Sequence, residues 1–219
     1  MGHQSRDVNG WSEHRRRNQN DGVDLARRAL HAAGDDANVL CNVAYVLAYF
    51  EPDINPAIAL IDRALGLSPS LAIGWARSGW IRLWAGHSDI AIEHFEKSLR
   101  LNPLRSGPAI FGIAVGHFFA RRLDKAAAML LLSLQEHPNW APCLRFLAAC
   151  YAHLGRLGDA QAIVEKLRRI TTDLIPSAEH WRVLARHCHV LADFRPGRWP
   201  HASCALGVCE RYGCHHREC

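Results

Sequence analysis

Two residue types recur along this chain at a fixed distance, and that period limits the folds available to it. Both recur at spacings of 34 or 35 residues: Ala57, Ala91, Ala126 and Ala160, and Pro69, Pro103 and Pro138. A period of this length predicts an array of helix pairs, because one pair cannot bury its apolar face alone and must stack on neighbours. Such an array presents an extended concave surface, which favours a binding module over a catalyst.

The best-preserved unit spans residues 70–103. It carries a bulky residue, a small one, an alanine, an aromatic and a closing proline at the consensus offsets of the tetratricopeptide repeat (TPR): Trp75, Gly79, Ala91, Phe95 and Pro103. The chain therefore resembles the TPR family. The resemblance implies an all-α solenoid of about four helix-turn-helix pairs with irregular N- and C-terminal tails.

The period divides the chain into three regions. The array is predicted at residues 21–182, with units at about 36–69, 70–103, 104–138 and 139–175, and with residues 21–34 as the second helix of a pair whose first helix is missing. Pro108 is predicted to start the first helix of the third unit. Residues 1–20 are predicted to be a disordered segment, and residues 183–219 form a tail of different composition.

Composition and charge exclude several classes of function. Apolar runs such as Ala126 to Leu132 are too short to cross a bilayer, and no apolar segment follows the basic N-terminus, so a cytoplasmic protein without membrane contact is expected. The net charge of +5 lies mostly at the two ends, which argues against nucleic-acid binding. No phosphate loop, HExxH or GxSxG motif is present, so we expect neither enzymatic activity nor a cofactor.

In TPR proteins the first helix of each pair lines the concave groove, and the resemblance implies a set of partner-binding positions on those helices. The predicted groove residues are Asn42, Val46, Tyr49, Trp80, Trp84, Phe111, Phe118, Phe119, Arg145 and His153. A groove that captures a peptide carboxylate needs clustered Lys, Arg and Asn, whereas this one is mainly aromatic. We therefore expect an apolar partner, either a helix or a neighbouring domain of the same polypeptide. The alternative is that about half of the aromatic rings only pack between helices.

A narrower resemblance is carried by several segments, among them AIALIDRAL, AIEHFEKSLRLNPL, AVGHFFARRLDKAA and HPNWAPCLRFLAACYAHLGRLGDA. They are similar to the repeat region that follows the catalytic domain in rhizobial and related bacterial class III adenylate cyclases, and also to repeats behind winged-helix regulators. The resemblance implies a detached regulatory region of a bacterial signalling protein. The alternative is cyclase activity in the chain itself, although the metal-binding aspartates of that family are not found here.

The tail holds five of the eight cysteines. Cys204, Cys209, Cys214 and Cys219 recur every five residues among histidines, a spacing that fits a zinc knuckle poorly. We interpret the tail as disordered or as the product of a shifted reading frame, with a metal-binding tail as the alternative. The other three cysteines, Cys41, Cys143 and Cys150, are predicted to be small core residues.

Overall fold

The computed structural model describes residues 13–170, and this part of the chain forms nine α-helices and no strand. The helices are α1 (Glu13–Ala33), α2 (Ala37–Phe50), α3 (Asn55–Leu67), α4 (Ala72–Trp84), α5 (Ser88–Leu101), α6 (Ser106–Phe119), α7 (Leu123–Glu136), α8 (Ala141–His153) and α9 (Leu157–Ile170). A single 3₁₀ turn, Pro103–Arg105, precedes α6.

Local chemistry explains where α2 and α3 begin. Asp36 caps α2, because its Oδ1 accepts hydrogen bonds from the backbone N–H groups of Asn38 (2.8 Å) and Val39 (3.1 Å). Such a cap stabilises a helix by about 1 kcal/mol. In α3, Pro56 lies in the first turn, where its missing N–H group has no helical partner to lose.

The turns inside the last three pairs repeat one geometry. His87, Arg122 and Arg156 each donate a backbone hydrogen bond of 2.9 Å to the carbonyl oxygen of the fifth residue before them. This geometry places one residue in the left-handed region, and glycine occupies it in two of the turns, at Gly86 and Gly155. Arg121 occupies it in the other, with φ 61°, and an L-residue pays a steric cost in that conformation.

The helices pair and stack in chain order, each against the next. The first helices of successive pairs, α2, α4, α6 and α8, also contact one another, whereas no contact of comparable extent joins α3, α5 and α7 in the described part of the chain. The first helices therefore lie on the inside of the curve. We call the surface that they form the inner face.

Small residues at the repeat period allow the helices to approach. The four periodic alanines, Ala57, Ala91, Ala126 and Ala160, have no solvent exposure at all. Phe95 on α5 is also fully buried, and two glycines flank its ring. A Cβ atom built on Gly79 of α4 would lie 2.7 Å from that ring, and one built on Gly112 of α6 would lie 2.5 Å from it. These glycines let α4 and α6 close over one aromatic ring.

The structure confirms the predicted fold class: the described chain is an all-α TPR-type solenoid. Two boundaries differ from the prediction. The prediction places residues 1–20 in a disordered segment, whereas in the structure α1 begins at Glu13, N-terminal to the packed side chains of Val23 and Ala26. The first helix of the third unit begins at Ser106 rather than at Pro108. Residues 1–12 and 171–219, with the C-terminal tail, lie outside the described residues.

Candidate functional site

The inner face carries a continuous series of aromatic rings, which we call the aromatic seam. Its members contact one another from α2 to α8 through centroid distances of 5.8 Å (Tyr49–Trp84), 6.5 Å (Trp84–Trp80), 5.9 Å (Trp80–Phe111), 5.8 Å (Phe111–Phe146) and 6.2 Å (Phe146–Phe119). Tilted and edge-to-face contacts at these distances are the favoured geometries for aromatic pairs. The seam therefore joins all four first helices into one surface.

Helical spacing explains how the sequence brings the rings together. Ile73, Arg77, Trp80 and Trp84 are three or four residues apart, so they share one face of α4. On α2, Asn42, Val46 and Tyr49 follow the same spacing. Stacking of α2 against α4 then places these two faces side by side on the inner face.

The structure divides the predicted groove residues into three groups by exposure. Asn42 is exposed, and its amide donates a hydrogen bond of 2.8 Å to the carbonyl oxygen of Asn38. Five predicted residues are half-buried: Val46, Tyr49, Trp80, Arg145 and His153. Four are buried with only a few per cent of their surface exposed: Trp84 (5%), Phe111 (7%), Phe118 (2%) and Phe119 (4%).

These four rings pack inside the array instead of being exposed in the groove. Eleven of the fourteen residues of α6 are buried, because this helix lies in the middle of the array and has contacts on all sides. Trp84 is enclosed by Tyr45, with a centroid distance of 5.2 Å, and by Tyr49 and Trp80. These rings form the floor of the inner face, and the half-buried Tyr49, Trp80 and Phe146 present its reachable edges.

The first helices carry no acidic side chain. Every Asp and Glu of the described chain lies on α1, on a second helix or in a turn, whereas α4 and α8 contribute three arginines, Arg77, Arg82 and Arg145. The Nη2 group of Arg82 donates to both carboxylate oxygens of Asp62 on α3, at 2.7 and 2.6 Å. The inner face therefore combines an aromatic floor with positive charge.

Arg77, like Phe146, lies on this face but is not among the predicted groove residues. Its guanidinium group lies 5.9 Å from the centre of the Tyr45 ring, and its Nη1 donates to the Sγ atom of Cys41 at 3.4 Å. Both partners belong to α2, so Arg77 lies in the seam between two first helices. The signal that could have found it is its spacing, three and seven residues before Trp80 and Trp84.

Burial holds three titratable groups on the first helices in their neutral forms. Burial, assisted by the charge of Arg121, lowers the pKa of His153 to about 4. Burial also raises the pKa of the Cys143 thiol to about 11 and that of Cys150 to about 12, so neither forms a reactive thiolate at neutral pH. The prediction that Cys41, Cys143 and Cys150 are core residues is confirmed, since none has solvent exposure.

Residues 13–170 hold neither a membrane-spanning helix nor a cluster of metal ligands. None of the helices there combines the length and the apolar composition that a membrane span requires. No group of three or more His, Cys, Asp or Glu side chains in that range is placed to hold a metal ion. The metal-binding alternative concerned the tail, which lies outside the described residues.

The stacked helix pairs, the periodic alanines and the inner face define a TPR-type solenoid. No protein family and no curated protein sequence matches this chain at a significant level. Solved structures do match it, and they have the same fold.

Three of these structures illustrate the likeness. A tetratricopeptide repeat protein from Parabacteroides merdae gives a TM-score of 0.63 at 18% identity, over 94% of this chain and 76% of its own. YrrB, described as a TPR protein with an unusual peptide-binding site, gives 0.56 at 18% identity, over 89% of this chain and 95% of its own. MamA gives 0.58 at 16% identity, over 70% of this chain and 90% of its own. At these identities the likeness shows the fold alone.

Proposed function

We propose that this chain is a protein-interaction scaffold whose inner face binds an apolar segment of a partner, either a helix or a neighbouring domain. The aromatic seam is the observation that carries the proposal. Tyr49, Trp80 and Phe146 lie on three different first helices, are half-buried, and pack on a floor of buried rings. Rigid aromatic side chains held this way lose little conformational entropy on binding, which suits them as anchors.

The fold supports the same proposal. YrrB shares this architecture and is described as having a peptide-binding site. A TPR-type array presents its first helices as an extended concave surface. In this chain that surface carries the seam.

The finer assignment is to a detached regulatory region of a bacterial signalling protein such as a class III adenylate cyclase. It rests on the resemblance of the repeat segments to those behind the cyclase catalytic domain. The nucleotide sequence on both sides of the reading frame tests it. A cyclase domain encoded upstream would support it, and an unrelated gene there would contradict it.

The interaction proposal is tested by selecting binders from a random peptide library displayed on phage, with the full chain as the immobilised target. The most enriched peptides are then synthesised and their affinities measured by fluorescence anisotropy. We expect Tyr49→Ala and Trp80→Leu each to weaken binding by at least about fivefold, since truncating an anchor costs more than about 1 kcal/mol.

Leu131→Ala is the matched control, because Leu131 is equally apolar and 47% exposed but lies on a second helix, α7. It should leave the affinity unchanged. Melting curves of all variants separate lost binding from lost folding. No enrichment over a blank surface, or affinities that Tyr49→Ala and Trp80→Leu do not change, would contradict the proposal.

A further inference from the structure

The distribution of charge on the inner face constrains the partner further. The four first helices contain no Asp or Glu, while the helices that surround them carry many. Salt bridges on the outside of the array use those acids, for example Arg63 with Asp35 and Arg122 with Asp89. No carboxylate of the first helices themselves therefore lies beside the aromatic seam, and Arg82 of α4 takes its carboxylate from Asp62 of α3.

Arg77 is the arginine of the inner face that lies between α2 and α4. Its side chain is half-buried, and its contacts within residues 13–170 are the Tyr45 ring and the Cys41 thiol. Neither is a carboxylate. By contrast, Arg82, further along α4, forms an ion pair with Asp62. A half-buried guanidinium group held against a ring and a thiol has donors left for a planar acceptor.

We propose that the partner segment carries an acidic side chain that pairs with Arg77, with apolar side chains on either side that pack on the aromatic seam. This inference rests on the proposed function and specifies the chemistry of the partner. Charge complementarity selects an acid, because the surface it meets is positive and has no competing carboxylate on its own helices. The flanking residues are apolar, because Trp80 lies three residues from Arg77 on the same face of α4.

The acid is assigned to a side chain within the segment rather than to a free C-terminus. Capture of a terminal carboxylate needs several cationic and amide groups together. Around Arg77 the neighbouring groups are instead aromatic rings, Tyr45 at 5.9 Å and, further along the face, Trp80 and Trp84. Rings beside the guanidinium group suit an acid that has apolar neighbours within the segment.

The peptides selected against the full chain provide the probe. We expect them to contain Asp or Glu between apolar residues. In the best binder, Glu→Gln in the peptide and Arg77→Met in the protein should each weaken binding roughly tenfold, as expected for a hydrogen bond between charged groups. Combined, the two changes should cost little more than either alone, because both remove the same contact.

Two control variants accompany the cycle. Methionine keeps the apolar stem of Arg77 over Tyr45, so Arg77→Met should retain the melting temperature. Arg100→Met removes a 65% exposed arginine from the second helix α5 and should change neither affinity nor acid preference.

Each result has a defined consequence. Apolar peptides without an acid, or an acid preference that Arg77→Met leaves unchanged, would overturn this inference while the interaction proposal stands. Loss of binding on C-terminal amidation of the peptide, with no effect of the internal Glu→Gln change, would place the recognised carboxylate at the terminus and also overturn it. No selected peptide at all would remove both proposals.

Discussion

Phe95 lies between two glycines, and this arrangement yields a sharp test of the packing. Gly112→Ala places a Cβ atom 2.5 to 2.6 Å from three carbon atoms of the Phe95 ring, closer than any ordinary contact. A Cβ atom built on Gly79 of α4 would also lie 2.7 to 2.8 Å from the ring, so two helices confine the ring at once. Overpacking of this kind costs about 1 to 3 kcal/mol.

The same substitution also has a favourable effect. Alanine is a better helix former than glycine by about 1 kcal/mol. With the ring held on both sides, we expect the upper part of the overpacking range, so Gly112→Ala should reduce the free energy of unfolding by about 1 to 2 kcal/mol. For a chain of this size that lowers the melting temperature by roughly 2 to 8 °C.

The assay is thermal unfolding followed by circular dichroism, with Gly22→Ala as the matched control. Gly22 lies inside α1 and a Cβ atom there would meet nothing within 4 Å, so this variant should gain up to about 1 kcal/mol. In a Phe95→Leu background, where the ring is gone, Gly112→Ala should lose its cost. Equal stabilisation by Gly112→Ala and Gly22→Ala in the wild-type background would refute the argument.

Two further predictions concern the inner face. Trp84→Ala should destabilise the protein by about 3 to 5 kcal/mol, because it removes a buried ring. Trp84→Phe should cost less, because it keeps a ring and removes an Nε1 group that is buried without a hydrogen-bond partner in the described structure. Chemical denaturation measures both losses of stability, and equal losses would contradict the prediction for Trp84→Phe. Stability should fall as the pH drops from about 6.5 to about 4, because burial favours neutral His153 in the folded state while the unfolded chain takes up the proton. Melting temperatures measured across this pH range should fall less in His153→Leu. An unchanged fall would contradict the assignment of the pH dependence to His153.

Much of the fold was predictable because it depends on local periodicity. The alanine and proline spacing placed the helix pairs, and Ala91 and Ala126 are fully buried as that spacing predicts. The extent of α1 was not predictable, because its first residues have no apolar pattern and extend beyond the packed Val23 and Ala26. Periodicity reports only those helical residues that pack against a core.

Exposure on the inner face was harder to predict than its location. Trp80 and Trp84 lie on successive turns of one helix, yet Trp80 is half-buried and Trp84 is buried. The difference arises from α2, whose Tyr45 and Tyr49 cover Trp84. The consensus positions of one repeat unit do not specify the side chains of the adjacent unit. Those adjacent side chains decide how exposed Trp80 and Trp84 are.

The aromatic seam couples binding to stability. Trp80 contacts Phe95 at 5.2 Å and Phe111 at 5.9 Å, so the ring proposed to anchor a partner also joins the packing of α4, α5 and α6. A partner that contacts Trp80 therefore rests on the same side chains that hold three helices together. Binding restricted to the folded array must raise its melting temperature by mass action. Two kinds of variant best separate a loss of binding from a loss of stability. One lies at the reachable edge, such as Tyr49→Ala. The other is Arg77→Met, which keeps the apolar stem and removes the charge.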